Sequence, residues 1–192
     1  MIDFFRAQAR NPEGPCAGMV LATMADNHQP FYELVLGALP IVRRGATFLE
    51  IGHGLSPIAE RLLANGYRYV GVDHSQSATD LCRGRAPAGQ FICGDVADVE
   101  LPRADVALMV NVLQWLAAPV AALIRIRQAL RHGGRLIVGT PDAVRSRLPP
   151  NSGRHYSTEG LLSLFMRAGF VGVSVASHET PHIRYLVGSG AA

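Results

Sequence analysis

The stretch Ala46-Thr47-Phe48-Leu49-Glu50-Ile51-Gly52-His53-Gly54-Leu55-Ser56-Pro57-Ile58-Ala59 decides the fold. Phe48, Leu49 and Ile51 read as a buried strand, Gly52-His53-Gly54 as a turn, and the residues from Pro57 as a helix, because proline suits a first helical turn. A strand, a glycine turn and a helix start make a nucleotide-binding corner. Glycines let the backbone approach a ligand, and a helix start offers N–H groups with no intrahelical partner. An acid, Glu50, stands two residues before the first glycine. The third glycine of the Gly-x-Gly-x-x-Gly fingerprint is missing, the chain continuing Leu55-Ser56-Pro57.

The segments that follow repeat the strand–turn–helix rhythm. The spacing predicts a helix over Pro57–Asn65 with Gly66 as its stop, then a strand over Tyr69–Asp73. Asp73 closes that strand about 20 residues after the glycines, where α/β nucleotide folds place an acid on ribose hydroxyls. A carboxylate can accept from both hydroxyls of a cis diol. The plainer alternative is that Asp73, or Ser75, caps the next helix. Arg83–Gly89 reads as a turn, and Phe91-Ile92-Cys93 as a short strand running into Gly94-Asp95-Val96. Ala104–Val110 is a near-continuous apolar run, as expected of a central strand buried on both faces. It ends at Asn111-Val112-Leu113-Gln114-Trp115-Leu116, where the only tryptophan reads as core or wall. A helix over Pro119–Arg131 leads through Gly133-Gly134, a tight left-handed cap, into a further apolar strand.

Together these motifs resemble the class I S-adenosylmethionine-dependent methyltransferases. Glu50, Gly52 and Gly54 match motif I, Gly94-Asp95 is similar to motif III, and Asn111–Leu116 is similar to the motif IV ending of the small-molecule enzymes. Among these, the chain resembles the small methyltransferases grouped with the ubiquinone and menaquinone biosynthetic enzymes. The resemblance implies an α/β, Rossmann-like sheet of seven strands, mostly parallel with an antiparallel last strand, and helices on both faces. It implies S-adenosyl-L-methionine as cofactor, with S-adenosyl-L-homocysteine as product. Its cofactor-binding set is Glu50, Gly52, His53, Gly54, Asp73, His74, Asp95, Val96 and Asn111. Within that set, Asp95 would face the adenine amino group, Val96 would offer its N–H to the ring, Asn111 would lie near the methionine part, and His53 would touch the cofactor carboxylate.

Composition narrows the partners. Of 192 residues, 48% are hydrophobic and 17% charged, which suits a soluble globular enzyme forming one domain, with residues 1–45 as N-terminal helices or lid and 46–188 as core. No apolar run reaches a membrane span, and the first residues lack the apolar region of a secretory signal, so a cytoplasmic location is expected. Cys16, Cys82 and Cys93 lack metal spacing and read as reduced thiols, with no metal site. The net charge of +3 is carried by arginine alone, since there is no lysine. Those arginines are scattered, whereas a nucleic-acid surface concentrates them, so no nucleic-acid partner is expected. A homodimer is left open.

Helices are predicted over 18–26 and 29–42, either packed on the sheet or acting as a lid, with Tyr32 the residue of interest. After the Pro- and Arg-rich loop 140–156 come a helix over Thr158–Ala168, strands over Phe170–Ala176 and Ile183–Val187, and a disordered tail over Gly188–Ala192. The methyl acceptor is expected to be a small molecule held by the N-terminal helices and the 140–156 loop. A base is needed only if the attacking O, N or C group carries a proton. The candidates are His155 and Tyr156, then His53; His28, His178 and His182 carry no sequence argument. The competing reading is a catalytically silent cofactor-binding subunit that stabilises a partner enzyme, kept open by Ser56 in place of glycine and by the lack of an obvious base. Aminopropyl chemistry is a third reading, and the chain lacks the extra acids that polyamines require.

Overall fold

A computed structural model describes residues 12–142, 153–179 and 183–192. Strands β1 (Thr47–Ile51), β2 (Arg68–Asp73), β3 (Gln90–Cys93), β4 (Ala104–Val110), β5 (Leu130–Pro141), β6 (Val171–Glu179) and β7 (Arg184–Ala191) form one sheet in the order β3-β2-β1-β4-β5-β7-β6. β1 pairs in parallel with β2 and β4, β2 with β3, and β4 with β5, whereas β7 runs antiparallel to both β5 and β6. Six strands therefore share one direction and the seventh opposes them, as the resemblance implies. The strand order reverses between β1 and β4, and open α/β sheets bind ligands at the carboxyl ends of the strands flanking such a switch.

Alternation along the strands distributes the helices to both faces. On one face Phe48, Tyr69, Phe91, Val106 and Ile137 pack beneath α2 (Gln29–Gly37), α3 (Pro57–Ala64) and α4 (Gln76–Arg85). On the other, Leu49, Val70, Ala107 and Leu136 pack beneath α5 (Pro119–Ala129) and α6 (Thr158–Arg167). α1 (Ala17–Asn27) lies outside these layers, its Leu21 clustering with Leu55 of the glycine corner and Ala78 of α4. No described helix is long and apolar enough to cross a membrane.

Four sequence expectations shift. The second helix stops at Gly37 rather than near 42, and α4 continues through Arg85, so the turn after it is shorter than expected. α5 ends at Ala129, and Leu130 already pairs with Ala104; the left-handed glycine is Gly133, φ +76°, at an irregularity in the β4–β5 register. The expected disordered tail is strand: Gly188, Ser189 and Gly190 lie between Val138, Ile137 and Leu136 of β5 and residues of β6. Small residues are required there, since a Cβ on Gly190 would come within 2.9 Å of Phe170 and 3.0 Å of Phe165. Glycine and serine therefore permit close packing at this site. Residues 1–11, most of the 140–156 loop and 180–182 lie outside the described residues.

Phe31 fixes α2 to the sheet. Its ring is fully buried, stacks on Tyr185 at a centroid distance of 3.8 Å, and occupies the space a side chain at Gly139 would take. Phe31→Ala is expected to lower stability by about 3–5 kcal/mol in urea denaturation. A loss under about 1 kcal/mol would show that α2 is not held by this contact.

Candidate active site at the carboxyl ends of β1, β2 and β4

The corner after β1 turns on three left-handed residues, Gly52 (φ +70°), Gly54 (φ +51°) and Ser56 (φ +37°). Gly52 is required twice over, because a Cβ there would also lie 2.1 Å from Cγ2 of Val112. Ser56 adopts a conformation that side chains seldom take, and three interactions of its hydroxyl offset the strain. Oγ accepts from the Ala59 N–H at 3.1 Å, capping α3, donates to Oε2 of Glu50 at 2.6 Å, and lies 2.8 Å from the Tyr69 hydroxyl. Tyr69 donates to the same Glu50 oxygen at 2.5 Å. Glu50 is thus a prop under the corner, not part of its open face. Burial pushes its pKa up to about 7, against the pull of the Ser56 and Tyr69 hydroxyls, with the charge of Asp73 adding to the rise.

Asp73 joins this corner to the next. Its Oδ2 accepts from the Gly54 N–H and its Oδ1 from the Ser75 N–H, each at 2.9 Å. Ser75 in turn caps α4 through the Ala78 N–H and donates its hydroxyl to the Pro12 carbonyl. Asp73 therefore braces the start of α4, and it also lines a chamber of about 480 Å³. Each carboxylate oxygen keeps a second lone pair for a ligand hydroxyl.

The chamber opens over the carboxyl ends of β1, β2 and β4. Gly52, Gly54, Asp73, His74, Asp95 and Val96 line it. Asp95 is exposed, one carboxylate oxygen accepting from the Ala97 N–H at 2.8 Å, and Val96 beside it is buried. Arg125 of α5 stiffens this loop by donating to the carbonyls of Val96 (2.9 Å) and Val99 (2.6 Å). Asn111, held at φ +60°, is also on the wall, and its carbonyl accepts from Nε2 of Gln114 at 3.0 Å. Leu21, Met24, His28, Tyr32 and Trp115 line the chamber as well, Leu21 lying against the glycine corner.

A protein-family model described as a methyltransferase domain matches residues 49–138, the span that carries the glycine corner, Asp73, Asp95 and Asn111. A Mycobacterium tuberculosis "probable S-adenosylmethionine-dependent methyltransferase" is 27% identical over 135 residues, covering 66% of this chain and 49% of that protein. Over this span the chain is similar to the S-adenosylmethionine-dependent methyltransferases. It spans about half the length of that relative. Two solved structures share the fold. A Haloferax volcanii methyltransferase in complex with the Trm112 methyltransferase activator has TM-score 0.78 at 20% identity, covering 98% of this chain and 97% of that one. Haemonchus contortus phosphoethanolamine N-methyltransferase 2, solved with S-adenosyl-L-methionine, has TM-score 0.79 at 12% identity, covering 97% of this chain and 59% of that one.

Within this methyltransferase fold the predicted residues divide into two groups. Gly52, Gly54, Asp73, His74, Asp95, Val96 and Asn111 come together on the chamber wall. Glu50 and His53 lie beneath it instead. His53 is 1% exposed, its Nδ1 is 2.8 Å from the Gly54 carbonyl oxygen, and its ring meets Phe91 edge-on at 5.2 Å. Burial lowers its pKa, so it fills space under the turn as a neutral ring. His155 and Tyr156 are also absent from the wall. His155 is exposed to solvent, while Tyr156 is buried in the opposite core with its hydroxyl 3.5 Å from the Leu113 carbonyl. The reason is local: Arg154 donates its N–H to the Gln114 carbonyl and its guanidinium to that of Ala117, fastening this segment to the turn after β4. Two residues without a sequence argument, His28 and Gln114, are respectively on the wall and directly behind it. A sequence signal for His28 existed only in its place between two amphipathic helices.

The buried Glu50 carboxyl has a stability consequence. The unfolded chain releases this proton near the usual 4.5, the folded chain only near 7, so the folded state holds more protons between those values. Stability then falls as pH rises through that window, by on the order of 3 kcal/mol from this group. Glu50→Gln, which keeps an acceptor oxygen but cannot ionise, is expected to decline less from pH 5 to 7.5 in thermal melts. Parallel wild-type and variant profiles would show that Glu50 is already ionised when buried.

Proposed function

We propose that this chain is an enzyme that transfers a methyl group from S-adenosyl-L-methionine to an O, N or C nucleophile of a small molecule. The observation that carries the reading is the shared chamber, whose wall joins the glycine corner, Asp73, Asp95 and Asn111 to apolar side chains. Asp73 would hold the ribose hydroxyls, Asp95 and Val96 the adenine, and the Gly52–Gly54 turn with Asn111 the methionine part. The fit is supported by Asp73 itself, whose carboxylate is already oriented by two backbone N–H groups yet faces the chamber. The bound cofactor supplies an activated methyl on a sulfonium. The protein's contribution is to align that methyl with the acceptor and to exclude water.

A small acceptor is supported by the modest chamber volume of about 480 Å³, part of which the cofactor would fill. A nucleic-acid acceptor gains no support from the arginines, several of which are paired with acids or carbonyls: Arg83 with Asp80, Arg85 with Glu60, Arg131 with Asp105, and Arg125 as above. The silent-subunit alternative drew on Ser56 in place of glycine. Ser56 keeps the left-handed path and gains a helix cap, so the substitution does not by itself argue for lost binding.

Isothermal titration with S-adenosylhomocysteine tests the cofactor assignment. Asp73→Ala is expected to weaken binding about tenfold or more, the scale of losing a hydrogen bond to a charged group. Equal affinity in the two proteins would remove Asp73 from the site.

A further inference from the structure

The N-terminal helices give the chamber wall a different character from the strand ends. α1 brings Leu21 and Met24 to the wall, α2 brings Tyr32, and His28 stands between the two helices, with Trp115 on the same wall. Among the described residues, the other titratable or charged groups on the wall are Asp73, His74, Asp95 and Arg125. The carboxylates are those assigned above to the cofactor, and the Arg125 guanidinium is engaged by Val96 and Val99 carbonyls.

His28 sits at the joint of two helices. Its N–H donates to the carbonyls of Met24 and Ala25, and its own carbonyl accepts from the Phe31 N–H at 2.9 Å and the Tyr32 N–H at 3.0 Å. The backbone at this point is therefore pinned from both sides. Its ring is fixed as well, with Nδ1 2.6 Å from the Met24 carbonyl oxygen. A carbonyl can only accept, so Nδ1 carries the proton and the neutral ring keeps its lone pair on Nε2. Burial lowers the ring's pKa below its usual 6.5, the Met24 carbonyl pulling the other way, so the neutral form prevails at pH 7. Tyr32, one turn further on, is held protonated because burial raises its pKa, with the charge of Glu50 adding to the rise. It can donate a hydrogen bond but not take a proton.

We propose that His28 is the proton acceptor for an apolar methyl acceptor bearing an acidic hydroxyl, a phenol or an enol, a proposal that rests on the methyltransferase reading above. In the step it serves, a lone pair of the hydroxyl oxygen forms the O–C bond to the methyl carbon, and the C–S bond breaks with its electron pair going to sulfur. The hydroxyl proton passes to Nε2, leaving an imidazolium. The acceptor class follows from the wall. Proton transfer is most effective between groups of similar pKa, which matches imidazole to a phenol or enol and not to an alkyl alcohol. A carboxylate acceptor has no proton to give, and a cationic ammonium acceptor would call for a carboxylate beside it, whereas the carboxylates on the described wall, Asp73 and Asp95, are assigned to the cofactor.

The test uses 4-nitrophenol and its methyl ether, 4-nitroanisole, which has the same ring without the hydroxyl proton. Protein labelled with ¹⁵N-histidine is saturated with S-adenosylhomocysteine, and the His28 resonances are assigned by their loss in H28Q, or in H28N should H28Q fold poorly. The expected result is a neutral Nδ1–H tautomer whose Nε2 signal moves upfield with 4-nitrophenol and stays in place with 4-nitroanisole. H28Q should keep its affinity for S-adenosylhomocysteine within about twofold. An Nε2–H tautomer, no movement with either probe, or equal movement with both would overturn the proposal. Failure of the wild type to bind S-adenosylhomocysteine would instead overturn the methyltransferase reading on which it rests.

Discussion

Two hydrogen bonds to one carboxylate hold the site together. Asp73 receives the N–H of Gly54 from the corner after β1 and the N–H of Ser75 from the corner after β2. Two adjacent strand-to-helix turns are thereby fixed relative to each other, and the acid is oriented before any ligand arrives. That matters energetically because a ligand-binding carboxylate that must first be ordered gives up part of its binding free energy to that ordering. Beneath the same corner, Glu50, Ser56 and Tyr69 hold the chain in a left-handed path that glycine would follow without help. The corner thus has an open face for a ligand and a packed face that sets its shape.

The packed face explains why residues of similar chemistry take different roles. Along β1, Phe48 and Glu50 point to one side of the sheet, Leu49 and Ile51 to the other. Glu50 is thus directed toward Tyr69 and Ser56. His53 turns under the loop, where Gly71 makes room for it: a Cβ there would lie 2.7 Å from the His53 ring. The N-terminal helices divide their work in a similar way. α2 is anchored on β5 and β7 through Phe31, Val35 and Tyr185, and this anchor sets the position of the α1–α2 joint at which His28 and Tyr32 meet the chamber.

Much of the fold is legible in the residues. β1 and β4 have the bounds their apolar runs give, because strands buried on both faces admit few polar interruptions. The proposed cofactor residues are equally legible, since Gly52, Gly54, Asp73 and Asp95 occupy strand ends whose spacing the chain fixes. The β7 segment Gly188–Ala191 is not, because short-range composition marks it as tail-like. It is ordered by β5 and β6 on either side and by Phe165 and Phe170 over its glycines. The proposed place of His28 on the acceptor side is not legible either. Whether a histidine faces a cavity or solvent depends on which distant segments it packs against, and neither His28 nor His155 carries that information in its neighbours.

The sequence by itself determined the alternation of strands and helices, the two left-handed glycines of the first corner and the two acids that follow, since each is a local consequence of periodicity, backbone conformation or spacing. Only the tertiary structure decided that Glu50 and His53 support the corner from below, that the 153–156 segment is fastened away from the chamber, and that His28 reaches it. Those outcomes depend on contacts between residues far apart in the chain, and the geometry of such contacts is fixed when the layers pack.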